Sequence, residues 1–394
     1  MINKQVPSIR FSGFTDAWEQ RKVGDIFDVT RGKVLSSDKI SEKCNIEMKY
    51  PVYSSQTKNN GLMGYFNEYL FDTAITWTTD GANAGTVNFR EGKFYSTNVN
   101  GVLLSDKGFA NNTIAEILNL EAWKHVSKVG NPKLMNNIMS EIKIHIPKCM
   151  QEQTHIGNFF KQLDDTIALH QRELDLLKEQ KKGFLQKMFP KKDETVPEIR
   201  FEGFTDAWEQ RKLEDGVTKV GDGLHGTPKY FDNGGIYFLN GNNIIDGKIK
   251  ITHETKQVTK EEQSVNDKLL NNKTILMSIN GTIGNLAFYN NEPVMLGKSV
   301  AYIIVSTYDK YFLYYVLQTN NTLKFFLNHL TGTTIKNLGL KTIRETPIKS
   351  PKNVEEQTKI GNFFKQLDDT IALHQRELEE LKEMKKGFLQ KMFV

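Results

Sequence analysis

The stretch EQTHIGNFFKQLDDTIALHQRELDLLKEQKKGFLQKMF, residues 152–189, returns almost unchanged as residues 356–393. In both copies apolar side chains recur at alternating spacings of four and three residues, which is the heptad pattern of a coiled-coil helix. The predicted contact seam consists of Phe160, Leu163, Ile167, Leu174, Leu177 and Phe184 in the first copy, and of Phe364, Leu367, Ile371, Leu378, Leu381 and Phe388 in the second. Such an apolar stripe needs a partner, and the other copy is the nearest candidate, in parallel or antiparallel orientation.

Two polar residues interrupt each seam, His170 and Lys181 in the first helix and His374 and Lys385 in the second. We expect the lysine side chains to extend toward solvent and the histidines to form local hydrogen bonds. The alternative is that these residues fix the register and orientation of the helix pair, as polar seam residues do in coiled coils.

A second duplicated segment lies ahead of each helix. IRFSGFTDAWEQRK at residues 9–22 returns as IRFEGFTDAWEQRK at residues 199–212. We expect Trp18 and Trp208 in these boxes to anchor each box against the helices. The repeats predict a first domain at residues 1–150, a helix at 151–190, a second domain at 191–354 and a second helix at 355–394.

The regions enclosed by the repeats differ strongly from each other, yet they share an outline. Residues 78–104 and 278–304 each combine a turn rich in glycine, a strand, another turn and a strand. Both regions therefore predict mixed α and β structure. Near-identical frames around divergent inserts indicate one scaffold that presents two different binding domains.

Bulk composition places few limits on function. The chain has 394 residues, a formal net charge of +5 and two cysteines, which are too few for a disulfide framework. The mild basic excess is compatible with a polyanionic partner, but it is also ordinary for a cytosolic protein. The start of the sequence lacks the apolar run of a signal peptide, and we find no stretch suited to a membrane span. We therefore expect a cytoplasmic protein without membrane contact.

Motifs for catalysis and metal binding are missing from the sequence. The GKS tripeptide at Gly297–Ser299 lacks the preceding glycine of a phosphate-binding loop, because Glu292 occupies that position. The sequence contains no HExxH motif, no paired CxxC and no GxSxG elbow. We therefore predict no catalytic residue, no metal site and no cofactor bound by this chain.

The duplicated box F-x-G-F-x-x-x-W, the duplicated P-x-x-x-x-EQ junction and the two helices ending in GFLQKMF resemble the specificity subunits of type I DNA restriction–modification systems. The resemblance extends from Ile9 to Phe393. It implies an α+β fold in which two target-recognition domains are joined by two long antiparallel coiled-coil helices with internal pseudo-twofold symmetry. It also implies a non-catalytic subunit that recognises a bipartite, asymmetric sequence in double-stranded DNA, with the helices setting the spacer.

The same resemblance implies the partners. Two methyltransferase subunits would use S-adenosylmethionine to methylate adenine N6, and two restriction subunits would use ATP and Mg²⁺ to translocate and cleave DNA. The polar loops then supply candidate DNA-binding residues, because amide, hydroxyl and cationic groups bind base edges and phosphates. These candidates are Ser55, Gln56, Lys58, Asn59, Thr79 and Asn83 in the first domain, and His225, Thr227, Asn242, Asn243, Asn280, Thr282, Thr333 and Lys336 in the second. The alternatives are a non-catalytic adaptor that binds proteins or glycans and a self-contained nuclease.

Overall fold

The computed structural model describes residues 6–55, 58–263, 267–334 and 336–394. The chain forms two compact units, one made of residues 1–171 and 376–394 and the other of residues 172–375. The α+β class expected from the sequence is confirmed. Within the described ranges no helix combines the length and the apolar character needed to cross a membrane.

The first unit contains a mixed α and β domain and parts of both long helices. Its strands are β1 (Glu19–Lys22), β2 (Asp28–Arg31), β3 (Tyr50–Tyr53), β4 (Leu62–Phe66), β5 (Phe71–Thr78), β6 (Val87–Ser96), β7 (Asn100–Leu104) and β8 (Lys143–Ile146). Its helices are α1 (Val23–Ile26), α2 (Asn112–Glu121), α3 (Asn136–Glu141) and the start of α4 (Met150–Lys187). Six strands form one sheet in the order β2-β7-β5-β6-β3-β4, in which only β3 and β6 are parallel neighbours.

In the second unit, two separate sheets correspond to the six-stranded sheet of the first unit. Its strands are β9 (Glu209–Lys212), β10 (Val217–Asp222), β11 (Ile236–Leu239), β12 (Ile244–Ile245), β13 (Lys248–Ile249), β14 (Gln257–Val258), β15 (Thr274–Ser278), β16 (Leu286–Phe288), β17 (Val294–Leu296), β18 (Val300–Val305) and β19 (Pro347–Ser350). Its helices are α5 (Lys310–Val316), α6 (Asn320–Asn328), α7 (Leu340–Arg344) and most of α8 (Val354–Met392). The main sheets have the orders β10-β18-β15-β16 and β14-β11-β17.

The strand β6 of the first unit corresponds to β16 and β17 together. The segment between these two strands contains Asn291 at φ 66 and then Pro293, which has no N–H to donate to a sheet. The chain therefore leaves the first sheet after β16, and β17 joins β11 in parallel. The parallel pair of β3 and β6 in the first unit is the matching contact.

The duplicated box ends in a strand that closes each unit. β1 pairs antiparallel with β8, and β9 pairs antiparallel with β19 in the same register. Arg21 lies opposite Ile144 and Arg211 lies opposite Ile348. Each box is thus joined to the strand that directly precedes a long helix.

A buried ion pair fastens the first box to helix α4. Arg10 donates from Nε and Nη2 to the two carboxylate oxygens of Glu152, at 2.6 and 2.7 Å. The indole N–H of Trp18 also donates to Glu152, at 3.4 Å. The side chains of Glu152 and Trp18 are each only 1% exposed, so the carboxylate depends on these donors for its solvation. The expected anchoring role of Trp18 is confirmed.

The second unit repeats this arrangement with the equivalent residues. Arg200 donates to Glu356 at 2.7 and 2.8 Å, and the indole N–H of Trp208 donates at 3.3 Å. The next residue of the helix explains the repeated P-x-x-x-x-EQ motif. The side-chain amide of Gln357 donates to the carbonyl of Pro351 at 3.0 Å, as Gln153 does to Pro147 at 2.8 Å.

The long helices pair in antiparallel orientation inside each unit. In the first unit Phe159 and Phe388 meet edge to face, with ring centroids 5.0 Å apart, and Lys385 contacts Asp164 at 2.7 Å. As the position along α4 increases, the position of its contact on α8 decreases. In the second unit Phe184 meets Phe363 at 5.1 Å, following the same antiparallel order.

The long helices contain 38 residues in α4 and 39 in α8. Every residue of the predicted seam has a buried or half-buried side chain. Fully buried among them are Phe160, Leu174, Phe364 and Leu378.

The seam lysines are ion-paired, so the expectation that they extend toward solvent is wrong. Lys181 contacts Asp368 at 2.7 Å, and Lys385 contacts Asp164 at 2.7 Å and Glu116 at 3.2 Å. These pairs join facing helices within each unit, because an aspartate of one helix lies beside the lysine of the other. The alternative, in which polar seam residues fix register and orientation, fits these contacts.

The ion pair in the first unit includes a carboxylate from outside the long helices, and this carboxylate gives a pH-dependent prediction. Burial raises the pKa of Glu116 on helix α2 above 4.5, although nearby Lys385 opposes the shift. Because the pKa of Glu116 is higher in the folded than in the unfolded protein, the ionised carboxylate destabilises the folded state. The free energy of unfolding therefore falls as the pH rises from 4.5 to the folded-state pKa.

The substitution Glu116→Gln is expected to raise the thermal unfolding midpoint at pH 7, because the amide oxygen still accepts from Lys385 without a buried charge. The gain should vanish at pH values below 4.5, where the wild-type carboxyl is protonated. Calorimetry at pH 7 and pH 4 checks this expectation. A lower midpoint at pH 7 would contradict it.

Candidate nucleic-acid interface

Three loops of the first unit meet at one edge of its sheet. Their described parts comprise residues 54–55 and 58–61 after β3, residues 79–86 after β5, and residues 127–133. The side-chain amide of Asn83 donates to the carbonyl of Ser55 at 3.2 Å, which joins the first two loops.

Backbone bonds fix the third loop of this edge. The N–H of Gly81 donates to Pro132 at 2.9 Å, and the N–H of Leu134 donates to Thr79 at 2.8 Å. Ser127 and Lys133 exchange backbone hydrogen bonds, so the loop projects as a short finger. The finger carries the exposed residues Lys128, Val129, Asn131 and Lys133.

The second unit brings the equivalent loops together. Their described parts comprise residues 240–243 after β11, residues 279–284 after β15, and residues 331–334 and 336–337. The backbones of Asn280 and Asn337 form an isolated antiparallel β-bridge. Thr331 and Asn337 exchange backbone hydrogen bonds and form the base of a second finger. The two units thus build the same loop constellation from different residues.

Most candidate DNA-binding residues lie on these loops. The exposed ones are Asn59, His225, Thr227, Asn242, Thr282, Thr333 and Lys336, and the half-buried ones are Ser55, Asn83, Asn243 and Asn280. Gln56 lies outside the described residues, and for Lys58 only the backbone is described. His225 is 74% exposed and contacts Asp222 at 2.8 Å.

Thr79 and Asn243 form side-chain hydrogen bonds inside their own loops. The Thr79 side chain is fully buried, and its hydroxyl lies 3.0 Å from the carbonyl of Val99 and 2.6 Å from Asp80. Asn243 accepts from the N–H of Asn240 at 2.9 Å and donates to Lys250 at 3.0 Å. The polar groups of both residues thus form bonds inside the protein that shape the loops, and the buried Thr79 side chain is not accessible from solvent.

The structure adds residues that sequence reasoning missed. Lys298, on the turn between β17 and β18, is exposed beside the loop at 240–243, because the N–H of Gly297 donates to Leu239 at 2.8 Å. Asn98 occupies the matching turn of the first unit and is also exposed. Lys33 lies beside that turn, since its N–H donates to Ser96 at 3.0 Å. The equivalence of these positions in the two units follows from the strand pairing, and the divergent sequences alone do not show it.

Cations and neutral polar groups therefore share one edge of each unit. Arginine and lysine neutralise phosphates, whereas amides and hydroxyls form the directional bonds that distinguish base pairs. This combination suits double-stranded DNA.

Comparison with known proteins agrees with this geometry. The sequence profile of the family described as "Type I restriction modification DNA specificity domain" matches residues 15–179 and 205–383. The MjaVIII specificity subunit of a type I restriction enzyme from Methanocaldococcus jannaschii is 24% identical over 398 residues, covering 94% of this chain and 91% of that protein.

A Mycoplasma pneumoniae type I specificity subunit homologue, S.MpnORF507P, is 36% identical over 163 residues. The match covers 41% of this chain, and the chain spans 43% of that relative. Among solved structures, an S subunit of a type I restriction–modification system from M. genitalium aligns with a TM-score of 0.70 at 16% identity, covering 99% of both chains. That likeness concerns the fold.

Proposed function

This chain belongs to the type I restriction modification DNA specificity family, and on that premise we propose that each of its two units recognises one half of a split DNA sequence. The observation that carries the proposal is the repeated loop constellation. The supporting contacts recur in both units, while the exposed side chains differ. One scaffold with two sets of recognition residues suits an asymmetric, bipartite target.

Within each unit, we assign phosphate contacts to exposed lysines and base contacts to exposed amides and hydroxyls. In the first unit the finger residues Lys128 and Lys133 flank the tip, and Asn59 lies on the neighbouring loop. In the second unit Lys336 lies on the finger and Asn242 on the neighbouring loop. Val129, which is 91% exposed, would supply an apolar contact of the kind made with thymine methyl groups.

The chain itself would act without catalysis and without a cofactor of its own. Its cytoplasmic partners would be two methyltransferase subunits, which use S-adenosylmethionine to methylate adenine N6, and two restriction subunits, which use ATP and Mg²⁺. The duplicated box and helix segments support two equal docking surfaces. Exposed apolar side chains on the helices, including Leu169 and Leu373, are candidates for these contacts, with exposures of 50% and 49%.

The antiparallel helices would set the length of the spacer between the half-sites. Inserting one turn, about 5.4 Å, into both α4 and α8 is expected to lengthen the preferred spacer by about one or two base pairs. The insertions belong after Gln171 and after Gln375, so that the facing contacts within each unit stay in register. Selection from DNA libraries with variable spacers measures the outcome.

The same one-turn insertion into α4 alone provides the matched control. It shifts one helix against the other and should abolish selective binding. A doubly lengthened protein that binds well but prefers the original spacer would contradict the role of the helices in spacing.

Binding selection by the purified chain with its methyltransferase partner tests the proposed function. The complex is incubated with random duplex DNA at physiological salt, and bound fragments are sequenced. We expect enrichment of two short blocks separated by a fixed gap. A folded, assembled complex that enriches no such pattern would overturn the proposal.

A further inference from the structure

Arg90 on strand β6 is a buried cation whose contacts with described residues are all with uncharged groups. Only 6% of the Arg90 surface is exposed. Nε donates to the hydroxyl of Thr76 at 3.2 Å, and Nη2 donates to the carbonyl of Asn60 at 2.6 Å. The guanidinium carbon lies 3.8 Å from the ring centroid of Tyr53. Burial lowers the pKa of Arg90 to about 10, so the side chain stays charged at neutral pH.

The short bond to Asn60 reaches a loop with an unusual backbone. Asn59, Asn60 and Gly61 have φ values of 48°, 50° and 87°, so three successive residues are left-handed. Side chains other than glycine seldom adopt this conformation, although asparagine tolerates it better than most. The N–H of Ser54 donates to Gly61 at 2.9 Å and closes the loop. An interaction that fixes the carbonyl of Asn60 therefore acts on the strained part of the loop.

The chemistry of the contacts requires arginine. A planar guanidinium can stack on Tyr53 while it donates in its own plane to two separate oxygens, whereas the compact ammonium of lysine cannot do both. Burying a charge without a carboxylate partner does not favour folding, and an apolar side chain of similar volume is often as stable or more stable. A role of Arg90 in positioning the loop therefore explains the presence of arginine here better than a role in stabilising the sheet.

The second unit holds its corresponding loop by other means. The matching registers of Ile75 with Phe89 and of Ile275 with Phe288 place Tyr289 where the first unit has Arg90. There the side-chain amide of Asn285 donates to the carbonyl of Ile244 at 3.0 Å, directly after the loop at 240–243. A change at Arg90 therefore acts on one unit only.

We propose that Arg90 is a positioning residue that holds the turn at residues 58–61 in its recognition conformation and thereby sets the specificity for the first half-site. The inference rests on the proposed function. Arg90 acts through the backbone of Asn60, which orients Asn59 and Ser55 toward DNA. It is too deeply buried to contact DNA itself.

The test compares the variants Arg90→Met and Arg90→Lys with wild type, each assembled with the methyltransferase partner. Binding is measured to the selected duplex and to duplexes with one base pair changed in either half-site. Both variants should lose about tenfold or more of the discrimination at the first half-site, since a correctly contacted base pair contributes about that factor. Discrimination at the second half-site should be unchanged, and the thermal unfolding midpoint of Arg90→Met should be equal to or higher than that of wild type.

Asn285→Ala serves as the mirror control, because it should relax the second half-site and spare the first. Unchanged discrimination at the first half-site in both Arg90 variants would overturn the inference. A parallel loss at both half-sites with a lower unfolding midpoint would overturn it too, since that pattern indicates a structural role. Wild type that selects no bipartite sequence would instead refute the proposed function.

Discussion

Replacement of Glu152 by alanine is expected to lower the free energy of unfolding by about 3–5 kcal/mol, because the substitution leaves a buried arginine without its counter-charge. Arg10 is only 10% exposed, and both of its bonds to Glu152 are lost together. The indole N–H of Trp18 loses its acceptor as well. The N-terminal box would then detach from α4, and the strand pair of β1 and β8 would lose support.

Chemical denaturation of the purified chain measures this loss. Glu356→Ala should produce a similar destabilisation in the second unit, because it breaks the equivalent pair. Glu198→Ala is the matched surface control, since its 47% exposed carboxylate pairs with Lys187 and such pairs contribute at most about 1 kcal/mol. If Glu152→Ala lowered the free energy of unfolding no more than the control does, the proposed role of the Arg10–Glu152 pair would be contradicted.

Exchange of residues 23–150 for the equivalent region of a relative is expected to replace one half-site completely and leave the other unchanged. The contacts of Arg10 and Trp18 with Glu152 join the first box to α4, and all three residues lie outside the exchanged segment, so the exchange leaves these contacts in place. Specific binding to the old sequence should fall by about 10³-fold or more, to the level of non-specific binding. Binding to a hybrid target should be restored.

The reciprocal exchange of residues 213–355 should alter only the other half-site. Selection from random duplexes reports both outcomes. Simultaneous change of both half-sites in either chimera would show that the units do not act independently.

The heptad pattern predicted the long helices well, because a repeated apolar stripe constrains secondary structure and burial together. It could not predict the partners of Lys385, because Asp164 and Glu116 come from distant parts of the chain. The Arg10–Glu152 pair was missed for the same reason. A signal was nonetheless present, since both charges recur unchanged in the duplicated segments.

The loops were harder to predict than the frame. Composition identified polar segments such as residues 54–61, but it did not distinguish exposed from buried side chains. Thr79 was predicted to contact DNA, but its buried hydroxyl donates a hydrogen bond to the carbonyl of Val99. Arg90 stands in a strand and gave no sign of supporting a distant turn. These roles depend on strand register, which divergent sequences do not reveal.

Single-molecule sequencing of adenine methylation tests the central claim most directly. Genomic DNA is compared between cells that express this chain with its methyltransferase partner and cells that express the partner alone. We predict a new N6-methyladenine motif made of two short blocks with a fixed gap. Absence of any new motif, while the same methyltransferase is active with another specificity subunit, would contradict the assignment of this chain as the DNA-recognition subunit.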